Sequence, residues 1–227
     1  DVKRVHGGVA TWRQRTDILR AMHAVNMIHV DDGLVVADKP EGLLSVPGRG
    51  EAGRDNLTTR VQAMFADALV VHRLDMSTSG LLVFARGIEM QRRLNAAFEQ
   101  RAVSKQYIAV AEGLIEGDEG QIHAPLAADW PNRPRQIVDA VNGRPSLTHW
   151  RVLARGEGCT RVALSPVTGR SHQLRVHLQH LGHPIRGDEL YAPHPIRAAR
   201  LLLHAAEIRF AHPLDGRAMH FRSEPPF

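Results

Sequence analysis

Several features that would place a chain in a common protein class are scarce in this sequence. Cys159 is the only cysteine among 227 residues, so the chain can form neither an internal disulfide nor a thiolate cluster for zinc or iron–sulfur. Apolar runs such as residues 81–85 are far shorter than the ~18 residues of a membrane-spanning helix. The first residues have no apolar stretch, so we expect no signal peptide. A disulfide-stapled secreted protein and a helical membrane protein are therefore excluded, and we expect a cytoplasmic location.

Lysine is also scarce, although the chain is basic. The net charge is +5, and only Lys3, Lys39 and Lys105 among the 29 basic residues are lysines, so the other 26 are arginines. Arginine offers a planar set of donors that suits phosphate groups and stacks on bases. The composition is therefore compatible with a nucleic-acid partner. It is equally compatible with a genome whose base composition favours arginine codons.

The order of the predicted elements favours an α+β fold with a largely antiparallel sheet, because most strands are joined by hairpin-length turns. Residues 1–26 are interpreted as an N-terminal extension, with a helix around residues 16–25, and residues 27–227 as one folded domain. The predicted strands are 28–30, 34–37, 69–71, 81–85, 104–111, 147–155, 159–165, 201–210 and 217–222. The predicted helices are 56–66, 88–101 and 172–181, the first with Asn56 as its N-cap.

One polar loop, residues 72–80, lies between two apolar runs and outside any predicted strand. It places a single carboxylate, Asp75, among His72, Arg73 and three hydroxyl side chains. A carboxylate in such a loop can act as a nucleophile, a general base or a metal ligand. The structural alternative is a turn in which Asp75 caps backbone amides.

A second polar segment spans residues 169–177 and opens the predicted helix 172–181. We expect Ser171 to cap this helix and a leucine stripe (Leu174, Leu178 and Leu181) to face the core. His172 and Arg175 then share the opposite face, which is either functional or simply solvated. If Arg175 meets Asp75, the arginine holds that carboxylate in its ionised form.

A third segment, residues 129–136, combines Trp130 with Arg133 and Arg135, which alternate with prolines. An aromatic side chain and arginines on a stiff loop suit single-stranded nucleic acid. The alternative is a connector whose tryptophan packs into the core. Histidines at 177, 180 and 183 have metal-like spacing, but no carboxylate or cysteine completes a ligand set, so we predict no metal site.

These segments resemble motifs of the RluA-type pseudouridine synthases, in the order found in that family. The matching stretches are residues 39–45, 72–82, 105–107, 169–188 and 201–205. Together they extend over residues 27–227, which the resemblance identifies as the catalytic domain. Residues 129–136 resemble the branch that acts on both a 23S rRNA loop and a tRNA anticodon loop. The resemblance implies a central mixed sheet with a cleft between two lobes. Some longer relatives carry a small RNA-binding domain upstream, but the 26 residues before Met27 are too few for it, so we expect a stand-alone catalytic domain.

The implied reaction converts uridine in RNA to pseudouridine. The resemblance makes Asp75 the catalytic aspartate, which either adds to C1′ or assists loss of the base through a glycal-like intermediate. Tyr107 would stack on the target uracil and relay a proton, and Arg175 would pair with Asp75. Leu203 would form a wall of the pocket, and Arg73 would fill the space left by the flipped nucleotide. Uracil is a poor leaving group, so a positioned carboxylate near the anomeric carbon is chemically reasonable, as in glycosidases.

The expected RNA contacts are His72, Arg133 and Arg135. The reaction involves neither redox chemistry nor phosphoryl transfer, so we expect no metal and no organic cofactor, and we expect a monomer. Three alternatives remain at this level: an RNA-binding module without catalysis, a pseudouridine synthase for a different RNA, and a nucleoside hydrolase. A hydrolase would need a second carboxylate as its acid, and no nearby motif offers one.

Overall fold

Strands outnumber helices in the computed structural model, which describes residues 25–193 and 198–227. The strands are β1 (Asn26–Val30), β2 (Leu34–Lys39), β3 (Ala68–Val70), β4 (Ser79–Arg86), β5 (Ser104–Glu112), β6 (Glu119–His123), β7 (Leu126–Ala128), β8 (Gln136–Val138), β9 (Leu147–Gly156), β10 (Cys159–Pro166), β11 (Leu203–Ala211) and β12 (Ala218–Arg222). The helices are α1 (Leu57–Gln62), α2 (Gly87–Glu99) and α3 (Gln173–His180), with one 3₁₀ turn at Glu51–Gly53. The predicted N-terminal extension lies outside the described residues, apart from the last two of its positions.

Ten of the strands form one sheet, in the order β1-β2-β4-β11-β5-β10-β9-β6, with β3 added on β4 and β12 on β11. Among the described residues, β4 and β11 are the parallel pair and the other strand pairs are antiparallel. Strands β7 and β8 form a separate hairpin beside this sheet. The predicted α+β class with a mixed, mostly antiparallel sheet is confirmed.

The parallel contact between β4 and β11 requires small residues. Gly80 lies in β4 with a φ of +113°, and a Cβ added there would come within 2.4 Å of the Ala205 carbonyl oxygen. Beside it, the Ser79 hydroxyl hydrogen-bonds Nδ1 of His204 at 2.8 Å. The prediction that residues 72–80 lie outside any strand is wrong for these last two positions, because the close approach of β11 selects small side chains there.

Helix α1 begins as its sequence predicts but ends early. The Asn56 side chain accepts a hydrogen bond from the Thr59 amide at 2.9 Å, which confirms Asn56 as the N-cap. The helix ends at Gln62 rather than near residue 66. Helix α2 packs Met90 and Leu94 against the face of β4, as the amphipathic pattern predicts.

Helix α3 is buried on more than one face. The predicted leucine stripe is confirmed, since Leu174 and Leu178 lie in a core cluster with residues of β5 and β10 and Leu181 packs at its edge. However, all of residues 173–178 are buried, so the alternative of a solvated polar face is wrong. The predicted Ser171 cap is also wrong: His172 occupies the N-cap position in a left-handed conformation, without a capping side chain.

Two hydrophobic clusters meet near the middle of the sheet. One contains residues of β5, β9, β10 and α3, and the other contains residues of β2, β4 and α1. Tyr107 on β5 packs against both clusters. The loop that enters β4 and the loop that leaves β10 face each other here and line one cavity, in agreement with the cleft that the sequence resemblance implies. In the part of the chain that the structure describes, no helix has the length and apolar character to cross a membrane.

Candidate active site

Asp75 lies in the turn that leads into β4. The turn is closed by its backbone, because the Thr78 amide donates to the Asp75 carbonyl at 3.1 Å. Among the described residues, no backbone amide donates to the Asp75 carboxylate, and the side chain lines the cavity. The alternative in which Asp75 only caps backbone amides is therefore wrong. Its carboxylate is free to act on a group inside the cavity.

The side chain of Ser45, which lies in the segment after β2, holds this turn in place. The Ser45 hydroxyl donates to the Leu74 carbonyl at 2.7 Å and accepts from the Leu74 amide at 3.0 Å. Both bonds are buried, so they are not weakened by competition with water. They fix the residue immediately before Asp75.

Lys39 ties the same turn to the end of β2. It has no exposed surface, and its Nζ donates to the carbonyls of Pro40 at 2.9 Å, Leu43 at 2.7 Å and Met76 at 3.0 Å. Burial lowers the pKa of Lys39 to about 8, although the nearby charge of Asp75 opposes that shift. The ammonium thus remains mostly protonated at neutral pH and satisfies all three of its donors.

A buried ion pair brings Arg175 to Asp75. Arg175 on α3 donates two hydrogen bonds to Asp188, from Nε at 2.8 Å and from Nη2 at 2.7 Å. Its remaining nitrogen, Nη1, lies 3.6 Å from Oδ2 of Asp75. Burial alone would lower the pKa of Arg175, but the hydrogen bonds and charge of Asp188 and the charge of Asp75 raise it. The contact between Arg175 and Asp75 is present as predicted, whereas Asp188 as the main partner was not foreseen.

His172 also approaches Asp75. Its Nε2 lies 3.9 Å from Oδ2 of that carboxylate, and its Nδ1 is hydrogen-bonded to the Tyr191 hydroxyl at 2.8 Å. Burial lowers the pKa of His172, although the Asp75 charge acts in the opposite direction. The sequence placed His172 on the same helical face as Arg175, but it gave no indication of Tyr191.

The cavity in front of Asp75 has a volume of about 520 Å³, within the usual range for small-ligand sites. Tyr107, Leu203 and Arg73 all line it. Burial and the charge of Asp75 raise the pKa of the Tyr107 hydroxyl. Among the described residues that hydroxyl has no hydrogen-bond partner, so both its ring and its proton are available to a ligand.

Comparison with known proteins identifies the family. A family model described as RNA pseudouridylate synthase matches residues 33–180. The chain belongs to the RNA pseudouridylate synthase family. It is 51% identical over 191 residues to the dual-specificity RNA pseudouridine synthase RluA of Vibrio cholerae, covering 83% of this chain and 78% of that protein. It is 45% identical over 204 residues to the protein of the same name from Escherichia coli, covering 88% and 93%.

Solved structures agree with this assignment. The structure titled "Human RNA Pseudouridylate Synthase Domain Containing 1" has a TM-score of 0.76 and 27% identity, covering 91% of this chain and 85% of that one. A second human structure, of the domain-containing 4 protein, has a TM-score of 0.76 at 24% identity and shows the same fold. The resemblance drawn from the sequence motifs is confirmed. The synthase is an isomerase of uridine in RNA.

His72 lies at the cavity of the synthase in an uncharged state. The Val83 amide donates to its Nε2 at 3.0 Å, which requires that nitrogen to be unprotonated. Burial and the charge of Lys105 lower the pKa of His72 to about 3. The ring also packs on Phe98, at 4.9 Å between centroids. His72 lines the cavity, but it cannot offer a positive charge to RNA near neutral pH, and its contact with RNA stays a prediction.

Three arginines near the cavity were not identified from the sequence. Arg101 and Arg170 line it, and burial, followed by the charges of Arg144 and Arg101, lowers the pKa of Arg170. Among the described residues none of the three forms an ion pair with a carboxylate, although Glu99 also lines the cavity. They come from three distant segments, so no local motif could have revealed this concentration of positive charge.

The loop between β7 and β8 is exposed in the synthase. Trp130 is 68% exposed, and the Arg133 guanidinium lies over its ring at 4.4 Å. The alternative in which Trp130 packs into the core is therefore wrong. Arg135 is half-buried, 5.3 Å from the centroid of the Tyr191 ring. The loop thus presents one stacked arginine to solvent and packs the other on Tyr191, which is hydrogen-bonded to the cavity residue His172.

Two of the three histidines with metal-like spacing, His177 and His183, have other partners. His177 is buried, with Nδ1 bonded to the Thr148 hydroxyl at 2.9 Å and Nε2 to the Ala124 carbonyl at 3.1 Å. Within residues 25–193 and 198–227, no group of three or more potential ligand side chains is arranged to hold a metal ion. The structure therefore explains His177 as part of the core.

Proposed function

We propose that Asp75 is the catalytic aspartate of this synthase and that it acts at C1′ of a uridine turned into the cavity. The observation that carries the proposal is its carboxylate, which lines the cavity 3.6 Å from Nη1 of the buried Arg175 and accepts no backbone amide among the described residues. The guanidinium at that distance attracts the carboxylate and helps to orient it, and a carboxylate that attacks or deprotonates must be ionised.

The reaction moves one glycosidic bond and leaves the number of protons unchanged. The N1–C1′ bond breaks, the uracil turns within the cavity, C5 bonds to C1′, the proton on C5 is lost to solvent, and N1 takes up a proton. Asp75 either forms a temporary ester with C1′ or assists base loss through a glycal-like intermediate. The target nucleotide must first leave its stack, at a cost of a few kcal/mol, and RNA loops reduce that cost.

Tyr107, Leu203 and Arg73 are proposed to hold the displaced nucleotide. Because the pKa of Tyr107 is raised, its hydroxyl remains protonated near neutral pH. It therefore acts as a stacking surface and proton donor rather than as a phenolate base. Leu203 is 3% exposed and forms a wall of the cavity, whereas Arg73 is exposed at its mouth and would occupy the gap left in the RNA.

The RNA is proposed to cross the positively charged side of the cavity. Arg101, Arg144 and Arg170 have no carboxylate partner among the described residues, and such residues are suited to phosphates. The exposed Trp130–Arg133 stack lies on the β7–β8 loop and suits an unpaired base. Since the relatives named above are dual-specificity RNA enzymes, we propose two substrates, a 23S rRNA loop and a tRNA anticodon stem-loop.

The test is a tritium-release assay. Transcripts of 23S rRNA and of tRNA are made with tritium at C5 of uridine, incubated with the synthase and mapped for pseudouridine. Release from both RNAs supports the proposal. Release from only one contradicts dual specificity, and free uracil as the product contradicts isomerisation.

Asp75→Asn is the matched variant, because it keeps the shape of the side chain and removes its charge. We expect it to bind both RNAs with near wild-type affinity and to form no pseudouridine. Any turnover by Asp75→Asn would remove Asp75 from the catalytic role.

The oligomeric state and location are further proposals. We propose a monomeric enzyme, and light scattering during size-exclusion chromatography tests this. The single free cysteine and the RNA substrates support a cytoplasmic location, which cell fractionation tests.

A further inference from the structure

Two donors converge on the same oxygen of Asp75. Nη1 of Arg175 lies 3.6 Å from Oδ2, and Nε2 of His172 lies 3.9 Å from it. Among the described residues, no hydrogen bond is formed to Oδ1. The nearest donor of each residue thus approaches Oδ2, and Oδ1 is the oxygen that we assign to a ligand in the cavity.

The hydrogen bonds of Tyr191 favour one tautomer of His172. The Gln136 amide donates to the Tyr191 hydroxyl oxygen at 2.7 Å. The hydroxyl has one proton of its own, and its other partner is Nδ1 of His172 at 2.8 Å. A neutral imidazole that accepts at Nδ1 must be protonated at Nε2. The Nε2–H bond is the group nearest to Asp75.

Tyr191 is itself held rigidly enough for this task. It is 4% exposed, and its backbone amide donates to Oδ1 of Asp188 at 3.2 Å. The Arg175 guanidinium lies 5.1 Å from the centroid of its ring. The same Asp188 thus positions both groups that reach Asp75: Arg175 directly, and His172 through Tyr191.

We propose that His172 is a positioning residue, a neutral Nε2–H donor that Tyr191 directs at Oδ2 of Asp75, so that Oδ1 faces the ribose of the target nucleotide. The inference rests on the proposed catalytic role of Asp75. The 3.9 Å separation is longer than a hydrogen bond, and it needs to shorten by about 1 Å when RNA fills the cavity. Contacts of this kind often tighten only in the substrate complex.

Two amide substitutions at His172 distinguish the roles of its two ring nitrogens. In His172→Asn the amide occupies the place of Nδ1, keeps a partner for Tyr191 and tolerates the φ of 53°, but it has nothing at Nε2. In His172→Gln the amide nitrogen reaches the position of Nε2. His180→Asn, on the exposed last turn of the same helix, is the control.

Single-turnover kinetics with the RNA substrate provide the first test. Removing one hydrogen bond to a charged group is expected to slow the chemical step roughly ten- to hundredfold. His172→Asn should therefore slow the chemical step by that factor, with RNA affinity within about twofold of the wild type. We expect His172→Gln to recover much of the rate and His180→Asn to match the wild type. A wild-type rate for His172→Asn, or equal losses for both amides, would overturn the proposal.

Nitrogen-15 NMR of the histidine rings tests the proton position without relying on activity. We expect His172 of the free synthase to be the Nε2–H tautomer at pH 7.5, and Tyr191→Phe to convert it to a mixture. An Nδ1–H tautomer in the wild type, or a spectrum unchanged by Tyr191→Phe, would overturn the inference. Failure of the wild type to form pseudouridine would instead overturn the proposed function, so the two failures are distinguishable.

Discussion

Replacement of Asp188 by asparagine tests whether the buried ion pair supports the site. Asp188 is 1% exposed and Arg175 is 5% exposed, and two short hydrogen bonds join them. Asparagine has nearly the same volume but no charge, so it leaves a buried guanidinium without its main partner. Breaking a buried pair in this way costs about 3–5 kcal/mol, out of a total stability of roughly 5–15 kcal/mol.

For a chain of this size, 1 kcal/mol corresponds to a Tm change of roughly 2–4 °C. We therefore expect Asp188→Asn to unfold roughly 6–20 °C below the wild type, followed by circular dichroism at pH 7.5. The control is Asp118→Asn. Asp118 is 89% exposed and pairs with Arg155 at 3.1 Å, so its loss should cost at most about 1 kcal/mol.

The difference in Tm between these two variants tests whether the buried ion pair stabilises the fold. If Asp188→Asn melts no lower than Asp118→Asn, the buried pair does not stabilise the fold as its geometry implies. A lower Tm would support the pair as a structural element that holds Arg175 in place. Asp188→Asn should also change the rate of pseudouridine formation, independently of stability. The guanidinium of Arg175 would lose its partner Asp188 and would have Asp75 as its nearest remaining carboxylate, at 3.6 Å.

Two further expectations concern RNA binding and pH. The double variant Arg101→Gln/Arg170→Gln should reduce the slope of log affinity against log salt by about 0.7 for each lost contact to single-stranded phosphate. The control is Arg92→Gln, which is exposed on α2 and should leave the slope unchanged. Equal slopes for the double variant and the wild type would mean that the RNA binds elsewhere. Because the pKa of His72 is lowered to about 3, its contribution to stability is complete above pH 6.5 and is lost as pH falls, since only the unfolded chain then binds the proton. Urea unfolding between pH 7 and 5 should show a loss of at most about 1.4 kcal/mol per pH unit from this group, and His72→Gln should reduce the overall slope; an unchanged slope would contradict the neutral assignment.

The strands that were predicted correctly from the sequence contain runs of apolar residues, and these residues are buried in the structure. Residues 34–37, for example, form a continuous apolar run, and all are buried in β2. Strands β6, β7 and β8 were missed because they carry too little of this signal. In β6 only Ile122 is buried. Strand β6 is held by pairing with β9, and strands β7 and β8 are held by pairing with each other. Periodicity reports neither kind of pairing.

Contacts between segments distant in the chain were also missed at the site. Spacing placed His172 and Arg175 on one face of a helix, and the resemblance connected Arg175 to Asp75. Neither indicated that Arg175 would be buried, because a charged side chain is buried only with a partner, and that partner, Asp188, lies 13 positions along the chain. Spacing within a helix predicts which residues share a face, but not which loop returns to cover it.

The interior next to Asp75 contains polar groups rather than apolar residues alone, and the need to orient the carboxylate explains this difference. Lys39, Ser45, Arg175 and Asp188 are each at most 5% exposed, and burying them costs free energy that leucines would not. Hydrogen bonds, unlike apolar contacts, fix both direction and distance, so each of these groups constrains the turn or the guanidinium that meets the carboxylate. A catalytic group must be held within about 0.5 Å of its productive position. The same chain therefore accepts a costlier interior next to the cavity than beneath α2, where apolar residues pack against β4 and nothing needs to be aimed.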